Sequence, residues 1–280
     1  MKEVAIIGAG QMGSGIAQVF ATAGYQVRIM DVSEDAFEKS RSRIAGSLEK
    51  LASKGNLDKT PREIQELISY RRSIADLRGC SIFVESAFED FNIKNDLFRR
   101  LAQIVRPGTK VASNTSSYSI TSFAKLLPYP ENFIGFHFMN PPPIMNLIEI
   151  IRGYHTSDET FQFFWDLALE LKKVPVASKN SPGFVLNRIL IPMINEAIYV
   201  LQEGVASAEG IDEAMKLGAN HPIGPLALAD LIGLDTVLAI LHTLEKELGE
   251  TKYAPCPLLK DYVAAGRLGC KTKRGFYKYE

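Results

Sequence analysis

Residues 3 to 31, EVAIIGAGQMGSGIAQVFATAGYQVRIMD, leave this chain few folds to choose from. An apolar strand, EVAIIG at 3–8, enters a glycine-rich turn and then SGIAQVFATAG, which has helical composition and stops at Gly24. YQVRIMD follows as a second strand closed by Asp31. Two parallel strands joined by one helix within about 30 residues make a βαβ unit, which belongs in an open, twisted sheet. The glycines at the turn have separate tasks. Gly8 permits the tight turn, Gly10 lets backbone approach a ligand, and Gly13 lets the helix pack on the strand, with Gln11 and Met12 between them. Free N–H groups at the helix start suit a pyrophosphate. Asp31, at the expected distance of about 20 residues, suits the ribose hydroxyls of a dinucleotide and disfavours a 2′-phosphate. A bare G-x-G-x-x-G is also found in ordinary tight strand-to-helix connections. Here the preceding strand, the following helix and the acid together favour the dinucleotide, with NAD preferred to NADP.

Further along, strands at 81–86 (SIFVES), 110–117 (KVASNTSS) and in VPVAS alternate with helices at 92–104 and about 157–172. Such alternation predicts an α/β fold with a doubly wound, mostly parallel sheet. A long polar helix from Ser33 to about Lys54, with Lys39, Arg41, Arg43 and Lys50 on it, and a second piece near TPREIQELI form a helical hairpin inserted into this domain. Pro61 fits the first turn of that second piece. The break KNSPGF sets the boundary, giving residues 1–181 to the dinucleotide-binding domain and 182–280 to an all-helical one. In the latter, VLNRILIPMINEAIYVLQEG is apolar nearly all round, which suits a central or subunit-contact helix, and Pro192 should kink it. SAEGIDEAMKLG and GPLALADLIGLDTVLAILHTLEKELG read as further helices.

Thirty-two basic residues balance thirty-two acidic ones, so no global field draws in nucleic acid or an anionic membrane. An anionic ligand must be met locally. No apolar run approaches the roughly 20 residues of a membrane span, and the start of the chain passes from charge directly into a strand, so the cytoplasm is the expected location. Three widely spaced cysteines and four scattered histidines give no disulfide framework and no metal-ligand spacing.

The chemistry centres on FIGFHFMNPPPIMNLIEII, residues 133–151. Alternation across Ile134, Phe136 and Phe138 marks a strand, and NLIEII is a second apolar run. Glu149 sits among Leu147, Ile148, Ile150 and Ile151, where a carboxylate is costly unless hydrogen-bonded. The reversal NPPPIMN can bring the strands together, making His137 its partner, either as a buried structural pair or as a general base oriented by a carboxylate. Ser116 in SNTSS lies at the carboxyl end of a strand, where open α/β sheets bind ligands, or else caps the helix ITSFAKLL. Asn187, in PGFVLNRI, is either a ligand contact or an amide satisfied in the core. No G-x-S-x-G elbow supports a serine hydrolase.

Together, IGAGQMGSGIAQVFATAGY, ASNTSS, GFHFMNPPP, PGFVLNRILIPMINEA, AMKLGANHPIGPLALADLIGLD and KTKRGFYKY resemble, essentially end to end, the 3-hydroxyacyl-CoA dehydrogenases, and most closely their stand-alone bacterial members. The resemblance implies a Rossmann-type domain, an all-α domain with a homodimer interface, and NAD as cofactor. It implies reversible hydride transfer at C3 of a short-chain acyl-CoA, 3-hydroxybutyryl-CoA in one direction and acetoacetyl-CoA in the other. On the matching positions, it makes His137 the catalytic base, Glu149 its orienting partner, and Ser116 and Asn187 the residues that place substrate oxygens. Glu89, Lys94, Asn140 and Lys271, with Ser116, become further cofactor contacts, and Ser47 and Lys54 coenzyme A contacts. Three positions depart from the family pattern: Asp90 adds a carboxylate beside Glu89, Asn146 replaces a basic residue, and Lys273 stands where glycine is common. Two other readings fit the Rossmann half alone, another nicotinamide-dependent hydroxy-acid dehydrogenase and a non-catalytic dinucleotide-binding protein.

Overall fold

The computed structural model describes residues 2–280, and the chain divides into two compact units, Met1–Ser181 and Pro182–Glu280. In the first, β1 (Glu3–Ile7), α1 (Gln11–Thr22) and β2 (Gln26–Met30) form the opening βαβ unit. Then come α2 (Glu34–Ala52), α3 (Pro61–Glu66), β3 (Ile68–Arg71), β4 (Ile82–Glu85), α4 (Phe91–Leu101) and β5 (Lys110–Ser113). The unit closes with α5 (Ile120–Ala124), β6 (Phe133–Phe138), β7 (Leu147–Arg152), α6 (Asp158–Glu170) and β8 (Val174–Lys179). The eight strands lie in the order β3-β2-β1-β4-β5-β6-β7-β8, all neighbours parallel except β6 and β7. This is the doubly wound Rossmann-type sheet expected from the alternating pattern. Its core includes Phe20, Ile29, Val84, Phe136 and Phe164, all buried. Strands covered on both faces read as near-continuous apolar runs, which is why β1 and β4 were legible in the sequence, whereas β6 showed itself by alternation.

Several local features differ from the sequence reading. The helical piece near TPREIQELI is α3, which ends at Glu66, but Ile68–Arg71 forms an unforeseen strand, β3, at the edge on β2. A four-residue, half-buried strand carries too little periodicity to announce itself. β5 stops at Ser113, so Ser116 lies in the following turn. Ser116 does not cap the next helix, because Ser119 accepts the N–H of Ser122 and caps α5. Asp90 is the cap of α4, accepting from Asn92 and Ile93 N–H, so its charge is matched to a helix start. α2 begins on the Ser33 cap but ends at Ala52, leaving Lys54 in the turn beyond it.

The second unit holds α7 (Leu186–Gln202), α8 (Ala208–Gly218), α9 (Pro225–Ile232), α10 (Leu234–Leu248) and α11 (Pro257–Ala264). α7 is one helix through Pro192, burying Ile191, Ile194 and Ile198. The long apolar segment from Gly224 is two helices, not one. Gly233, at φ +101°, ends α9 and starts α10 with a bend of 96°. Among the described residues, no single helix is long and apolar enough to cross a membrane.

Two buried carboxylates organise this unit. Asp212 accepts from Leu226 and Ala227 N–H at the start of α9 and from the Tyr277 hydroxyl. Asp230 accepts from Phe276 and Tyr277 N–H and the Tyr279 hydroxyl, fastening the C-terminal segment. Gly275 leaves Asp230 its space, for a Cβ there would stand 1.8 Å from Oδ1. Within the same segment Lys273 holds φ at +58°, left-handed backbone that favours glycine. A glycine there, as the resemblance leads one to expect, would fit this conformation without strain. Lys273→Gly is expected to raise the unfolding free energy by roughly 0.5–1 kcal/mol in urea denaturation; an unchanged or lower midpoint would refute the strain.

Candidate active site

The opening turn is shaped by lack of space. A Cβ on Gly13 would lie 1.9 Å from the Gly8 carbonyl oxygen, and one on Gly8, at φ +111°, 2.3 Å from the Ser86 oxygen. Around Gly10, by contrast, a Cβ would meet nothing within 4 Å. α1 starts there with no side-chain cap, so its first N–H groups face that opening. Just past β2, Asp31 is already oriented: Oδ2 accepts from Ala9 N–H at 2.8 Å and Oδ1 from Ser33 N–H at 3.1 Å. A cradle of free helix N–H groups, an open glycine and a fixed carboxylate fits the pyrophosphate and ribose of a dinucleotide. Gly8, Gly10, Gln11, Met12 and Gly13 would hold the phosphates.

Antiparallel pairing of β6 with β7 sets His137 directly opposite Glu149. Imidazole Nδ1 stands 2.9 Å from Glu149 Oε2, with the glutamate fully buried and the histidine nearly so. Their strand neighbours Phe136, Phe138, Ile148 and Ile150 belong to the apolar core. An ionised carboxylate only accepts, so the contact places the proton on Nδ1 and leaves the Nε2 lone pair as the basic site. The neighbouring Phe138 N–H donates to Asn114 Oδ1 at 2.8 Å, tying β6 to the SNTSS turn.

That turn is held by a second carboxylate, Glu89, itself exposed at its outer side. Glu89 Oε1 accepts from the hydroxyls of Thr115 at 2.6 Å and Ser117 at 2.8 Å and from the N–H of Ser116 at 3.0 Å. Its other oxygen lies 3.1 Å from the Lys94 ammonium, which also contacts Glu85 at 2.6 Å. Glu85 in turn accepts from Ser113 and from Ala87 N–H. Burial pulls the Lys94 pKa down, but the two carboxylates outweigh it and hold the ammonium above the ordinary lysine range. For Glu89, burial pushes upward, while Lys94 and the serine and threonine hydroxyls bring it below the usual carboxylate value. Lys94 is 1 % exposed, so any effect it has on a ligand passes through Glu89.

The remaining candidates are dispersed. Asn140 is exposed on the loop after β6, its Oδ1 accepting from Gln11 Nε2 at 3.0 Å. Ser47 is half-buried on α2, and Lys54, past the helix end, is exposed. Ser47 thus sits on the helix, and Lys54 follows its Ser53 cap. Asn187 and Lys271 belong to the helical unit, the first half-buried near the start of α7, the second paired with Asp235.

The family model for the 3-hydroxyacyl-CoA dehydrogenase NAD binding domain matches residues 3–181, and that for the C-terminal domain matches 183–279. The chain belongs to the 3-hydroxyacyl-CoA dehydrogenase family. A probable 3-hydroxybutyryl-CoA dehydrogenase of Deinococcus radiodurans is 51% identical, covering 98% of this chain and 99% of that one. The 3-hydroxybutyryl-CoA dehydrogenase of Clostridioides difficile is 49% identical, with 99% of each chain covered. Among solved structures, (S)-3-hydroxybutyryl-CoA dehydrogenase PaaH1 from Ralstonia eutropha superposes with a TM-score of 0.95 at 48% identity, over 100% of this chain and 99% of that one.

In this 3-hydroxyacyl-CoA dehydrogenase fold, the sequence reading missed Glu85, Asn114 and Thr115. Glu85 had a visible signal, since SIFVES places a carboxylate in an apolar run just as NLIEII places Glu149. Asn114 and Thr115 carried none, because their roles arise only when two strand ends meet.

Proposed function

We propose that this protein is an NAD-dependent 3-hydroxybutyryl-CoA dehydrogenase, interconverting a short-chain 3-hydroxyacyl-CoA and its 3-ketoacyl-CoA. One observation carries the reading: the buried His137–Glu149 pair, in a chain of this family whose relatives bear that enzyme's name. The Gly8–Gly13 turn and Asp31 would hold NAD, which would supply the hydride acceptor for C3 of the substrate, or as NADH the donor. In the oxidation, His137 Nε2 accepts the substrate hydroxyl proton, and Glu149 stabilises the resulting imidazolium through Nδ1–H. In the reduction, the imidazolium returns a proton to the carbonyl oxygen. Ser116, in the turn clamped by Glu89, is assigned to the substrate oxygen. The same task for Asn187, and cofactor contact for Lys271, rest on the family resemblance alone.

Coenzyme A requires cations that are not already neutralised. On the basic helix Lys39 pairs with Asp35 and Arg41 approaches Glu34, whereas Arg43 and Lys50, and Lys54 just past its end, form no ion pair among the described residues. This supports Lys54, with Ser47, as the grip on the adenosine phosphates. The homodimer is supported by large apolar side chains left exposed on the helical unit, with Leu217 at 78%, Val205 at 69%, Ile189 at 66% and Leu231 at 64%.

NADH oxidation with acetoacetyl-CoA, and little with free acetoacetate, is the expected activity; the reverse preference would sink the assignment. His137→Ala should lower kcat by at least about 100-fold with NADH affinity intact, and Glu149→Gln should also lose rate, with an altered pH–rate profile. Unchanged turnover in both variants would reduce the pair to a structural contact. Lys54→Ala should raise KM for acetoacetyl-CoA in a salt-sensitive way and leave an acetoacetyl-pantetheine analogue nearly unaffected; equal losses on the two would place the coenzyme A grip elsewhere. Light scattering at micromolar concentration should give twice the 31.0 kDa chain mass, and a monomer would contradict the interface.

A further inference from the structure

The loop between β6 and β7 reads NPPPIMN, and its prolines, Pro141 to Pro143, supply no backbone N–H. Several of its carbonyls therefore need donors from elsewhere. Pro141 O is satisfied within the turn, accepting from Ile144 and Met145 N–H at 3.0 Å each. Pro142 O and Met145 O are both taken by one side chain, the ammonium of Lys173, at 2.8 Å each. Lys173 stands between α6 and β8, 7 % exposed, and forms no ion pair among the described residues. Burial draws its pKa below the ordinary lysine value, with no anion to offset it.

A lone buried ammonium is an expensive way to fill space. A methionine of similar length would occupy the site without desolvating a charge, so what the lysine adds is its two hydrogen bonds. Those bonds fix a loop that is pressed against the dinucleotide turn on its other side. Asn140 Oδ1 accepts from Gln11 Nε2 at 3.0 Å, and a Cβ on Gly15 would stand 2.7 Å from Pro142 Cδ. The two ends of the same loop are β6, carrying His137, and β7, carrying Glu149.

We propose that Lys173 is a positioning residue for the dehydrogenase reaction, an interior clamp that holds the β6–β7 loop on α1 so that Asn140 and the His137–Glu149 pair keep a fixed place relative to the cofactor turn. This rests on the function proposed above. Lys173 acts through the loop and touches neither ligand. The charge is incidental to the task and the donor geometry essential, so another long donor should serve in part and an apolar chain should not.

The test compares Lys173→Met with Lys173→Arg. In Lys173→Met, amide exchange should accelerate over residues 144–147 and 11–15 and stay at parent rates elsewhere. NADH affinity should fall about tenfold and kcat with acetoacetyl-CoA about 10- to 100-fold, the loss expected from small misplacement of reacting groups. KM for acetoacetyl-CoA should move less than about threefold, because the coenzyme A contacts are remote. Lys173→Arg should recover most of the NADH affinity. Parent-like exchange in the loop with NADH affinity within about twofold would overturn the proposal. So would an equal loss in Leu171→Ala, a destabilising change in the same corner that leaves the clamp in place. Should Lys173→Met not fold, Lys173→Ala, which likewise removes the donor, reads the same quantities. A parent enzyme inactive on acetoacetyl-CoA would count against the proposed function, while loop exchange and NADH affinity would still decide the role of Lys173.

Discussion

A carboxylate taken wholly out of water must be met by donors, and this protein puts two of them, Glu85 and Glu149, inside the same sheet, both fully buried. Each dictates its surroundings. Glu149 requires His137 across the hairpin, and Glu85 requires Lys94 from the next helix along with the Ser113 hydroxyl from the neighbouring strand. The Lys94 charge then has a second anion to serve, Glu89, which gathers the Thr115–Ser117 turn around itself. The polar part of the site is thus a chain of obligations that begins with two buried anions and ends at Ser116.

The topology decides where those obligations meet. Gly8, Asp31, Glu85, Ser113 and His137 come at or just beyond the carboxyl ends of β1, β2, β4, β5 and β6, strands that all run the same way. Open parallel sheets bind their ligands at that edge, where helices begin and N–H groups are free. Glu149 could not join the group from a parallel strand of the same direction, because its place near the start of β7 would put it at the far edge. The single antiparallel step returns it to His137.

How much of this was legible follows from which signals are local. The glycine turn, Asp31 and the pairing of His137 with Glu149 each depend on residues close in sequence or on an anomaly in an apolar run, and a reader of the chain can find them. β3 was hidden because four half-buried residues after a short helix have no period to show. The split between α9 and α10 was hidden because both halves are apolar and one glycine, Gly233, makes the break. The Asp90 carboxylate looked like excess charge beside a ligand and is a helix cap. Glu85 was overlooked although it carried the same signature as Glu149, and the Lys173 clamp was beyond reach because its acceptors are main-chain carbonyls, which no residue type announces.

The hairpin also limits how this chain can change. In a strand, side chains alternate between faces, so His137 meets Glu149 only while the loop between them keeps its present count of residues. Losing or gaining one residue there would shift β7 by one step against β6, bring Ile148 or Ile150 opposite the imidazole, and turn the carboxylate to the other side of the sheet. The prolines can be exchanged for other residues with a graded effect, whereas the length is all or nothing. Drift in this loop is confined to substitution, and variation in size must go to the turns that join the other strands.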